Sequence, residues 1–579
     1  MVSAEQKVVE CDVLVVGGGM AGGFAALRAK DFADKVVLVD KGKMSRSGAS
    51  PMAGGFLDCP TEEDDLDAWA RDLVETGEYM NDQDWVKVYL DEGIKRVKEL
   101  DTWGPVIEHD ENGKFNRWLG RGGKVFVVVL VDARKVMEIL RERLEAKGVT
   151  IIDRTMVTDL LTGDGTHPTK DRVVGAIGFN TRTVDPVVFK ARSVVMATGV
   201  AGGGSDMVHT GDGFLQAWRV GAELTGFEFT RWWANWTFEK KYQAGHLCLW
   251  AGMRWRLVNA QGERFMLKPF PDLQERGKFQ DLTAGIGKEY LEGRGPVYAD
   301  FTHSTPEQYE WAKKSFPQAP VMRAYESVGI DLSKQKVSFE FNPGWLMLTS
   351  DAAGILVNTY CESNIPGLFA CGQAGGYPTH GSHTGGGTNL LMCQVMGYRA
   401  GEYAAKYAKE GGERKIDDEQ VKSLQETALK PLKAKTGVRA WDIRRKFGKL
   451  MGQPRMAFFR HEKRIKEALE ELKECEAMLP DLWAENPHEF VRANSIKSCL
   501  HNWKISLIGS LERKETRGSN LREDYPYTDN INHLKWFVLG RGRNNDVEVK
   551  SRALPFHRWP VKPPYKKVPY PLQFPKIEA

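Results

Sequence analysis

The stretch Cys11–Lys41 reads CDVLVVGGGMAGGFAALRAKDFADKVVLVDK. An apolar β-branched run predicts a buried strand, a glycine turn and an Ala- and Leu-rich segment predict a helix, and a second apolar run ends at Asp40. Gly17, Gly19 and Gly22 have the spacing that permits a tight turn, a close approach of pyrophosphate and close helix packing. The helix N-terminus favours phosphate, and Asp40 is placed to accept hydrogen bonds from a ribose. The stretch therefore predicts an α/β unit that binds a dinucleotide.

Length and composition limit the remaining choices. A chain of 579 residues is too long for one core and should hold roughly two to four domains. A net charge of +4 is small for this length and argues against nucleic-acid binding. No run approaches the length of about eighteen apolar residues that a membrane span needs, and residues 1–10 lack the apolar core of a signal peptide. We expect a cytoplasmic protein that reaches a membrane, if at all, through a partner.

The eight cysteines are scattered and include no CxxC pair. This spacing suits neither a disulfide framework nor an iron–sulfur or zinc site, and we expect no metal in this chain. If electrons leave one at a time, another subunit has to carry them.

Three further segments are suited to contact a bound dinucleotide. The loop after Asp40 places Arg46 and Ser47 where they can donate to phosphate or to a cofactor ring. A strand ending in the Ala-Thr-Gly of Ala197–Gly199 can pass close to a bound dinucleotide. Glycines also precede a helix beginning near Gly386, whose N-terminus can stabilise negative charge.

The middle of the chain has a different composition. Phe227–Arg256 is rich in Trp, Arg and Lys and includes Arg231 and Trp233. Such a mixture can wall an anionic ligand between guanidinium groups and flat rings. An aromatic core with arginines that reach to the surface is an equally good interpretation of any single residue. The last segment, Leu554–Ala579, carries seven prolines and predicts an extended arm of the kind that clasps a partner.

These motifs together resemble the flavoprotein subunits of fumarate reductase and succinate dehydrogenase, a superfamily that includes L-aspartate oxidase and the adenylylsulfate reductase α subunit. They occur in family order along nearly the whole chain. The matching segments are VVGGGMAG, SGA within Lys43–Pro51, ATG at Ala197–Gly199, TGDG at Thr210–Gly213, NAQGERFM at Asn259–Met266, GRGPVY at Gly293–Tyr298, TSDAAG at Thr349–Gly354, LFACGQ at Leu368–Gln373, HGSHTGGGTNLL at His380–Leu391 and ETRGSNLREDYP at Glu515–Pro526.

The resemblance implies FAD and a Rossmann-like FAD-binding domain with an inserted α+β capping domain and a C-terminal helical domain. The expected limits are 1–204 and 349–405 for the two parts of the FAD-binding domain, 205–348 for the capping domain, 406–545 for the helical domain and 546–579 for the arm. The expected FAD contacts are Gly17, Gly19, Met20, Ala21, Gly22, Asp40, Lys41, Arg46, Ser47, Gly48, Val157, Ala197, Thr198, Gly199, Asp212, Gly372, Gln373, Thr388, Asn389 and Leu390.

The chain departs from the family at the positions that handle a dicarboxylate. Aligned by eye, the substrate arginine of the fumarate-reducing members falls on Thr384 and the arginine that delivers a proton falls on Gln280. Two family histidines fall on Asn342 and near Trp233, whereas His380 is kept. A dicarboxylate needs paired cations and proton delivery needs a positioned acid, so fumarate or succinate chemistry becomes a minor alternative.

The cofactor loop also discriminates between members of the family. Members that attach FAD covalently have a histidine near this loop, and the chain has none from Lys41 to Glu108. We therefore expect non-covalent FAD. The loop, the aromatic and basic stretch and the lost residues are nearest in character to the adenylylsulfate reductase α subunit, which passes electrons to a ferredoxin-type iron–sulfur subunit.

The sequence thus predicts an FAD-dependent oxidoreductase subunit that moves two electrons between a small anionic substrate and an iron–sulfur partner in a hetero-oligomer. Two alternatives stay open: a flavin electron-transfer module without its own substrate, and a fumarate- or succinate-type reductase or an oxidase with an altered site. The residues expected to act at the ring or on the substrate are His380, His383, Arg517, Arg522, Arg231 and Trp233.

Overall fold

The fold is taken from a computed structural model of the chain. It describes residues 7–575 except 121, 125, 201–208, 239–241, 244–252, 315–317, 351, 384–385, 411 and 413. For residues 231–238, 242–243, 339–350, 454 and 457 it describes the backbone but not the side chains.

The described residues form twenty-one strands and fourteen α-helices, numbered in chain order. The strands are β1 (Lys7–Val16), β2 (Val36–Val39), β3 (Phe56–Asp58), β4 (Arg117–Leu119), β5 (Phe126–Val129), β6 (Thr150–Ile152), β7 (Thr155–Thr162), β8 (Val173–Asn180), β9 (Pro186–Met196), β10 (Leu224–Thr225), β11 (Thr230–Phe238), β12 (Tyr242–Gln243), β13 (Arg256–Val258), β14 (Val297–Asp300), β15 (Val337–Ser350), β16 (Gly354–Ile355), β17 (Leu368–Ala370), β18 (Tyr527–Asp529), β19 (Lys535–Arg541), β20 (Val547–Ala553) and β21 (Lys567–Pro569). The helices are α1 (Met20–Ala29), α2 (Leu66–Thr76), α3 (Gln83–Asp101), α4 (Ala133–Ala146), α5 (Asp212–Arg219), α6 (Phe279–Leu291), α7 (Pro306–Lys314), α8 (Gln318–Ser327), α9 (Thr388–Glu410), α10 (Asp418–Lys433), α11 (Ala440–Met451), α12 (Pro454–Phe458), α13 (Glu462–Ala477) and α14 (Pro487–Glu512).

The central sheet has seven strands in the order β6–β2–β1–β9–β8–β7, with β17 paired to the second half of β9. Strands β6, β2, β1, β9 and β17 are parallel, whereas β7 and β8 form an antiparallel hairpin. In the register, Val13 lies between Val36 and Ser193. Val13 has no exposed surface, as expected of a parallel strand covered on both faces. The carboxyl ends of β1, β2 and β9 meet at one edge, where such sheets bind ligands.

Helices α1 and α9 cover the sheet and touch each other backbone to backbone. A Cβ atom added at Gly397 would lie 2.4 Å from the carbonyl oxygen of Ala21, and one at Gly401 would lie 2.1 Å from that of Ala25. The two glycines are four residues apart and therefore face the same way on α9. Only glycine fits at either position.

The capping domain has its own sheet and its own core. Strands β11–β15 form a five-stranded sheet in the order β12–β11–β15–β14–β13. Trp255, Phe301 and Tyr325 are buried in this core, and Leu572 from the C-terminal arm joins them. The predicted capping domain is therefore present, and the arm of the chain completes its packing.

The C-terminal half differs from the predicted limits in two places. The boundary expected between residues 405 and 406 lies inside α9, because the same helix that packs on α1 continues to Glu410. The region expected to stay helical to residue 545 ends its last long helix at Glu512 and then forms strands. Of these, β19 and β20 extend the sheet that contains β10 and β16. Strands β10 and β19 are hundreds of residues apart, so no local sequence pattern predicts that they pair.

The arm lies along its own chain. Phe556 and Trp559 pack against Met80 and Phe229, and β21 pairs antiparallel with β18. None of the helices in the described part of the chain is both long and apolar enough to cross a bilayer.

The contact between α1 and α9 leads to a matched pair of substitutions. Gly401→Ala should lower the free energy of unfolding by roughly 1–3 kcal/mol, because the new methyl group overlaps the backbone of α1. Gly448→Ala on α11 meets nothing within 4 Å and should raise it by about 0.5–1 kcal/mol through helix propensity. Denaturant unfolding measures both, and equal effects at the two positions would refute the packing argument.

Candidate functional site: a dinucleotide cavity

The glycine turn after β1 crosses the end of β9 at van der Waals contact. A Cβ atom at Gly17 would lie 2.3 Å from the carbonyl oxygen of Ala197, and Gly17 has a φ of +112°, which favours glycine. A Cβ atom at Gly22 would lie 1.8 Å from the carbonyl oxygen of Gly17. The first turn of α1 is thereby pressed onto the strand ends, with its N-terminus directed at the space above them.

Asp40, at the end of β2, organises the loops around that space. Its Oδ2 accepts the Gly18 amide at 2.7 Å, and its Oδ1 accepts the Gly42 amide at 2.7 Å and the Ser47 hydroxyl at 3.0 Å. A carboxylate has about four acceptor positions, so one is left for a ligand hydroxyl. Ser50 closes the other side, because its hydroxyl accepts the Met20 amide at 3.0 Å.

Lys41 joins the cofactor loop to two helices. Its ammonium group donates to Thr210 Oγ1 at 2.7 Å, Asp212 Oδ2 at 2.8 Å and Ser495 Oγ at 3.3 Å. Asp212 begins α5 and Ser495 lies on α14, so a single cation holds the rim of the cavity together.

The space enclosed by these elements is a cavity of about 700 Å³. It falls in the range of small-molecule and cofactor sites. The predicted contacts that line it are Gly17, Gly19, Met20, Ala21, Asp40, Lys41, Ser47, Gly48, Val157, Ala197, Thr198, Gly199, Asp212, Gln373, Asn389 and Leu390. Their binding role stays a prediction, but the structure brings them together from separate segments of the chain.

Four other predicted contacts lie outside the lining. Gly22 lies in α1 and packs against the carbonyl oxygen of Gly17. Gly372 packs against α1, because a Cβ atom there would lie 2.7 Å from the Cβ atom of Ala21. Thr388 is buried at the start of α9. The Arg46 side chain is 62% exposed and pairs with Glu138 at 2.9 Å, so the structure corrects its expected place at the phosphate.

The cavity carries unused hydrogen-bonding atoms. Among the described residues, Thr198 Oγ1, Asp212 Oδ1, Gln216 Oε1 and Asn389 Oδ1 are buried and have no hydrogen-bond partner. All four residues line the cavity. Buried polar atoms are rarely left unpaired in native proteins, so this set fits a large polar ligand such as a flavin dinucleotide.

Tyr377, Gly386 and Gly387 line one wall of the cavity, close to two buried histidines. His380 and His383 are 1% and 2% exposed, and each closes a turn through its backbone amide. The Tyr377 ring lines the cavity and stands 4.7 Å from the His380 ring, so His380 lies immediately behind the lining. His383 faces Gly122, where a Cβ atom would lie 3.8 Å from His383 Nε2.

Comparison with known proteins gives two family matches. Residues 12–390 match the FAD binding domain, and residues 444–568 match the fumarate reductase flavoprotein C-terminal domain. The chain belongs to the fumarate reductase and succinate dehydrogenase flavoprotein family. The predicted cofactor, FAD, and the predicted class, an FAD-dependent oxidoreductase, are confirmed.

Relatives of this flavoprotein match along nearly its whole length. One subunit of the fumarate reductase (CoM/CoB) of Methanothermobacter marburgensis is 28% identical, over 90% of this chain and 96% of its own. Among solved structures, quinol fumarate reductase of Escherichia coli superposes with a TM-score of 0.85 at 22% identity, covering 96% of this chain and 99% of its own. Adenylylsulfate reductase of Archaeoglobus fulgidus gives 0.79 at 21% identity, covering 95% and 96%. At these identities the structural matches establish the fold.

The flavoprotein does not place its two candidate arginines in the cavity lining. Arg522 and Arg517 have no appreciable exposure, and every guanidinium nitrogen of each donates to a protein oxygen. The acceptors are both carboxylate oxygens of Asp524 and the Ser510 carbonyl for Arg522, and Glu515, Asn530 and the Glu78 carbonyl for Arg517. We therefore reassign both from substrate binding to the framework of their loop, because a saturated guanidinium has little left to offer an anion.

Two more candidates cannot be placed by their side chains. Arg231 and Trp233 lie on β11, where their backbones pair with Thr349 and Met347, but their side chains lie outside the described residues. The same holds for the Asn342 side chain and for all of Thr384. Their roles stay predictions.

The structure adds contacts that sequence reasoning missed. Phe279, at the start of α6, lines the cavity from the capping domain, and Tyr377 and Cys393 line it from the FAD-binding domain. The Tyr377 hydroxyl contacts Cys393 Sγ at 2.8 Å. The glycine-rich segment His380–Leu391 follows Tyr377 closely and could have indicated that Tyr377 lies near the cavity. No local pattern distinguishes Phe279 from an ordinary core residue.

Glu78 ties the capping domain to this wall. Its carboxylate accepts Lys278 Nζ at 3.2 Å, the Ser382 hydroxyl at 3.1 Å and the Gly518 amide at 2.8 Å. Burial raises the pKa of Glu78, but Lys278, Arg517 and these donors outweigh burial and hold the pKa below its ordinary value. Glu78 is therefore an ionised bridge between three segments.

The lining leads to a test of FAD retention. Asp40→Ala should weaken FAD binding roughly 10- to 100-fold, because it removes an acceptor from the cavity and frees three donors that shape the loop. Arg46→Ala removes a surface ion pair and should leave FAD affinity unchanged. Titration of the deflavinated variants with FAD, followed by flavin fluorescence, measures both. A larger loss for Arg46→Ala than for Asp40→Ala would contradict this view of the site.

Proposed function

We propose that this flavoprotein holds FAD non-covalently and moves two electrons between a small anionic substrate, of the adenylylsulfate type, and an iron–sulfur partner subunit. The observation that carries the choice of substrate is Gln280. It is the residue aligned with the proton-delivering arginine of the fumarate-reducing members, and it is a neutral carboxamide that is 2% exposed. Proton delivery to fumarate needs a positioned acid, and a carboxamide at this position does not supply one.

Arginines of the capping domain support an anionic substrate other than a dicarboxylate. Arg276 is half-buried and donates to the carbonyl oxygens of Gly120 and Gly123. Burial, and then the charge of Arg254, lower the pKa of Arg276, so two positive charges lie near each other in the capping domain. An anionic ligand would relieve that crowding.

The partner is inferred from how the electrons must leave. The eight cysteines include no CxxC pair, which supports one-electron carriers on another chain. Adenylylsulfate reductase is one of the matched structures. The resemblance of this chain's cofactor loop to its α subunit supports a ferredoxin-type partner.

In the proposed reaction the chain's residues bind, orient and shield. FAD, when bound, supplies the two-electron chemistry at its ring. Asp40, Lys41 and the α1 N-terminus hold the dinucleotide part, and Tyr377 and Phe279 shield the cavity from water. Arg276 holds the substrate's negative charge on the capping side.

A fumarate-type reductase is the second candidate. The Methanothermobacter marburgensis relative at 28% identity is named as a fumarate reductase, and His380 of the family motif is present. The substituted positions Gln280, Asn342 and Thr384 argue against it.

An anaerobic titration of the FAD-loaded protein separates the candidates. Sulfite together with AMP should bleach the flavin absorbance, because their coupling to adenylylsulfate releases two electrons, whereas succinate should not. Arg276→Gln should raise the concentration needed for half bleaching about tenfold, the scale of one charged hydrogen bond. Lys314→Gln, at a side chain that is 77% exposed on the same domain, is the matched control and should change nothing.

Each other outcome overturns the proposal in a defined way. Bleaching by succinate alone would indicate the fumarate-type reaction. No bleaching by either donor, with an iron–sulfur protein that co-purifies stably, would indicate an electron relay without its own substrate.

A further inference from the structure

Gln216 stands in the wall of the cavity with its carboxamide held in one orientation. It lies on α5, one turn after Asp212, and both residues line the cavity. Its Nε2 donates to the Val157 carbonyl oxygen on β7 at 2.7 Å. Because a carbonyl oxygen only accepts, the amide nitrogen has to face it, and the Oε1 atom is left on the other side of the carboxamide as an acceptor.

That acceptor has no partner in the part of the chain that the structure describes. Gln216 is 3% exposed, and its Oε1 atom is buried without a hydrogen bond. A buried acceptor that stays unpaired costs free energy, and native proteins rarely leave one. A second cavity of about 20 Å³ also touches Gln216 and has room for one water molecule, which is the competing partner. Since the residue lines the large cavity, we expect the ligand to supply the missing donor.

Two contacts place Gln216 at the end of the cavity where Asp40 is expected to hold a ribose. The Thr155 amide donates to the Asp40 carbonyl at 2.9 Å, and Thr155 begins β7, the strand that carries the carbonyl bonded to Gln216. Lys41, next to Asp40, donates to Asp212 at 2.8 Å, one turn before Gln216 on α5. The base attached to that ribose is therefore the part of FAD that Gln216 would meet.

The base of FAD offers the kind of group that this acceptor lacks. Adenine carries an exocyclic amino group, which donates hydrogen bonds. Hypoxanthine has a keto oxygen at the same position, and two acceptors would then face each other. A site built to hydrogen-bond one group rejects an analogue without it, because the buried polar atom of the site is left unpaired.

We propose that Gln216 determines which base the cavity accepts, because its Oε1 atom accepts a hydrogen bond from the amino group of adenine. Gln216 is then a specificity-determining residue for the cofactor, and the site selects an adenine dinucleotide over one with a keto group at that position. The inference rests on the part of the proposed function that places non-covalent FAD in this cavity, and it does not depend on the substrate.

The test compares FAD with flavin hypoxanthine dinucleotide, in which a keto oxygen replaces the amino group of the base. Deflavinated full-length protein is titrated with each dinucleotide, and flavin fluorescence reports binding. Wild-type protein should bind FAD roughly 10- to 100-fold more tightly, the scale of one buried acceptor left unpaired. Gln216→Met keeps the length of the side chain but removes the strong acceptor, so the preference should fall below about twofold.

The ratio of the two affinities separates recognition from folding. Gln216→Met also leaves the Val157 carbonyl unpaired, and a loss of stability from that cause weakens both dinucleotides alike. Gln420→Met is the matched control and should keep the wild-type preference. Gln420 is a buried carboxamide on α10 that donates to the Thr162 hydroxyl and accepts the Thr162 amide, away from the cavity lining.

Two results would overturn the proposal and assign the Gln216 acceptor to water: equal affinity of the wild type for the two dinucleotides, or a full preference retained in Gln216→Met. Failure of the site itself would appear differently. Asp40→Ala would then bind both dinucleotides as tightly as the wild type, which would refute the FAD site together with the role of Gln216.

Discussion

The contact of Gly17 with Ala197 and of Gly22 with Gly17 is the constraint on which the rest of the structure depends. It brings the end of β1, the start of α1 and the end of β9 to within van der Waals distance, with no room for any side chain. This junction determines where the α1 N-terminus points and where Asp40 lies at the end of β2. It thereby also shapes the space above the strand ends. Glycines at 397 and 401 repeat the same device between α1 and α9 and support the junction from behind.

A second constraint joins the capping domain to this base. Glu78 accepts hydrogen bonds from the capping domain, from the histidine loop and from the loop of Gly518, and its low pKa keeps it ionised as a bridge. The arm adds a second connection through Tyr570 and Asp281. Because both connections meet beside Phe279, the geometry of the cavity wall depends on segments far apart in the chain.

Sequence reasoning worked where the chemistry is written into a short motif. The structure brings the glycine turn, Asp40 and Ala197–Gly199 together around one cavity, and their binding of FAD stays a prediction. The strand, glycine turn, helix and second strand of the opening stretch followed from its apolar runs and glycine spacing.

Sequence reasoning failed where the residue type alone does not determine which groups the side chain contacts. An arginine in a family motif looks the same whether it faces a substrate or is saturated by a carboxylate, and Arg517 and Arg522 prove to be of the second kind. Arg46 was expected at a phosphate, but its guanidinium group pairs with Glu138 on α4, far along the chain. Tyr570 carried no local signal, since its partner is defined only when β21 pairs with β18.

We expect the cavity built on the Gly17 junction to bind FAD non-covalently and to bind no other dinucleotide. Calorimetric titration of deflavinated protein with FAD, in the presence and absence of excess NAD⁺, is the decisive measurement. We predict one FAD bound per chain, no displacement by NAD⁺, and full release of the flavin into solution on acid denaturation. Competition by NAD⁺, or flavin that stays with the denatured chain, would contradict it.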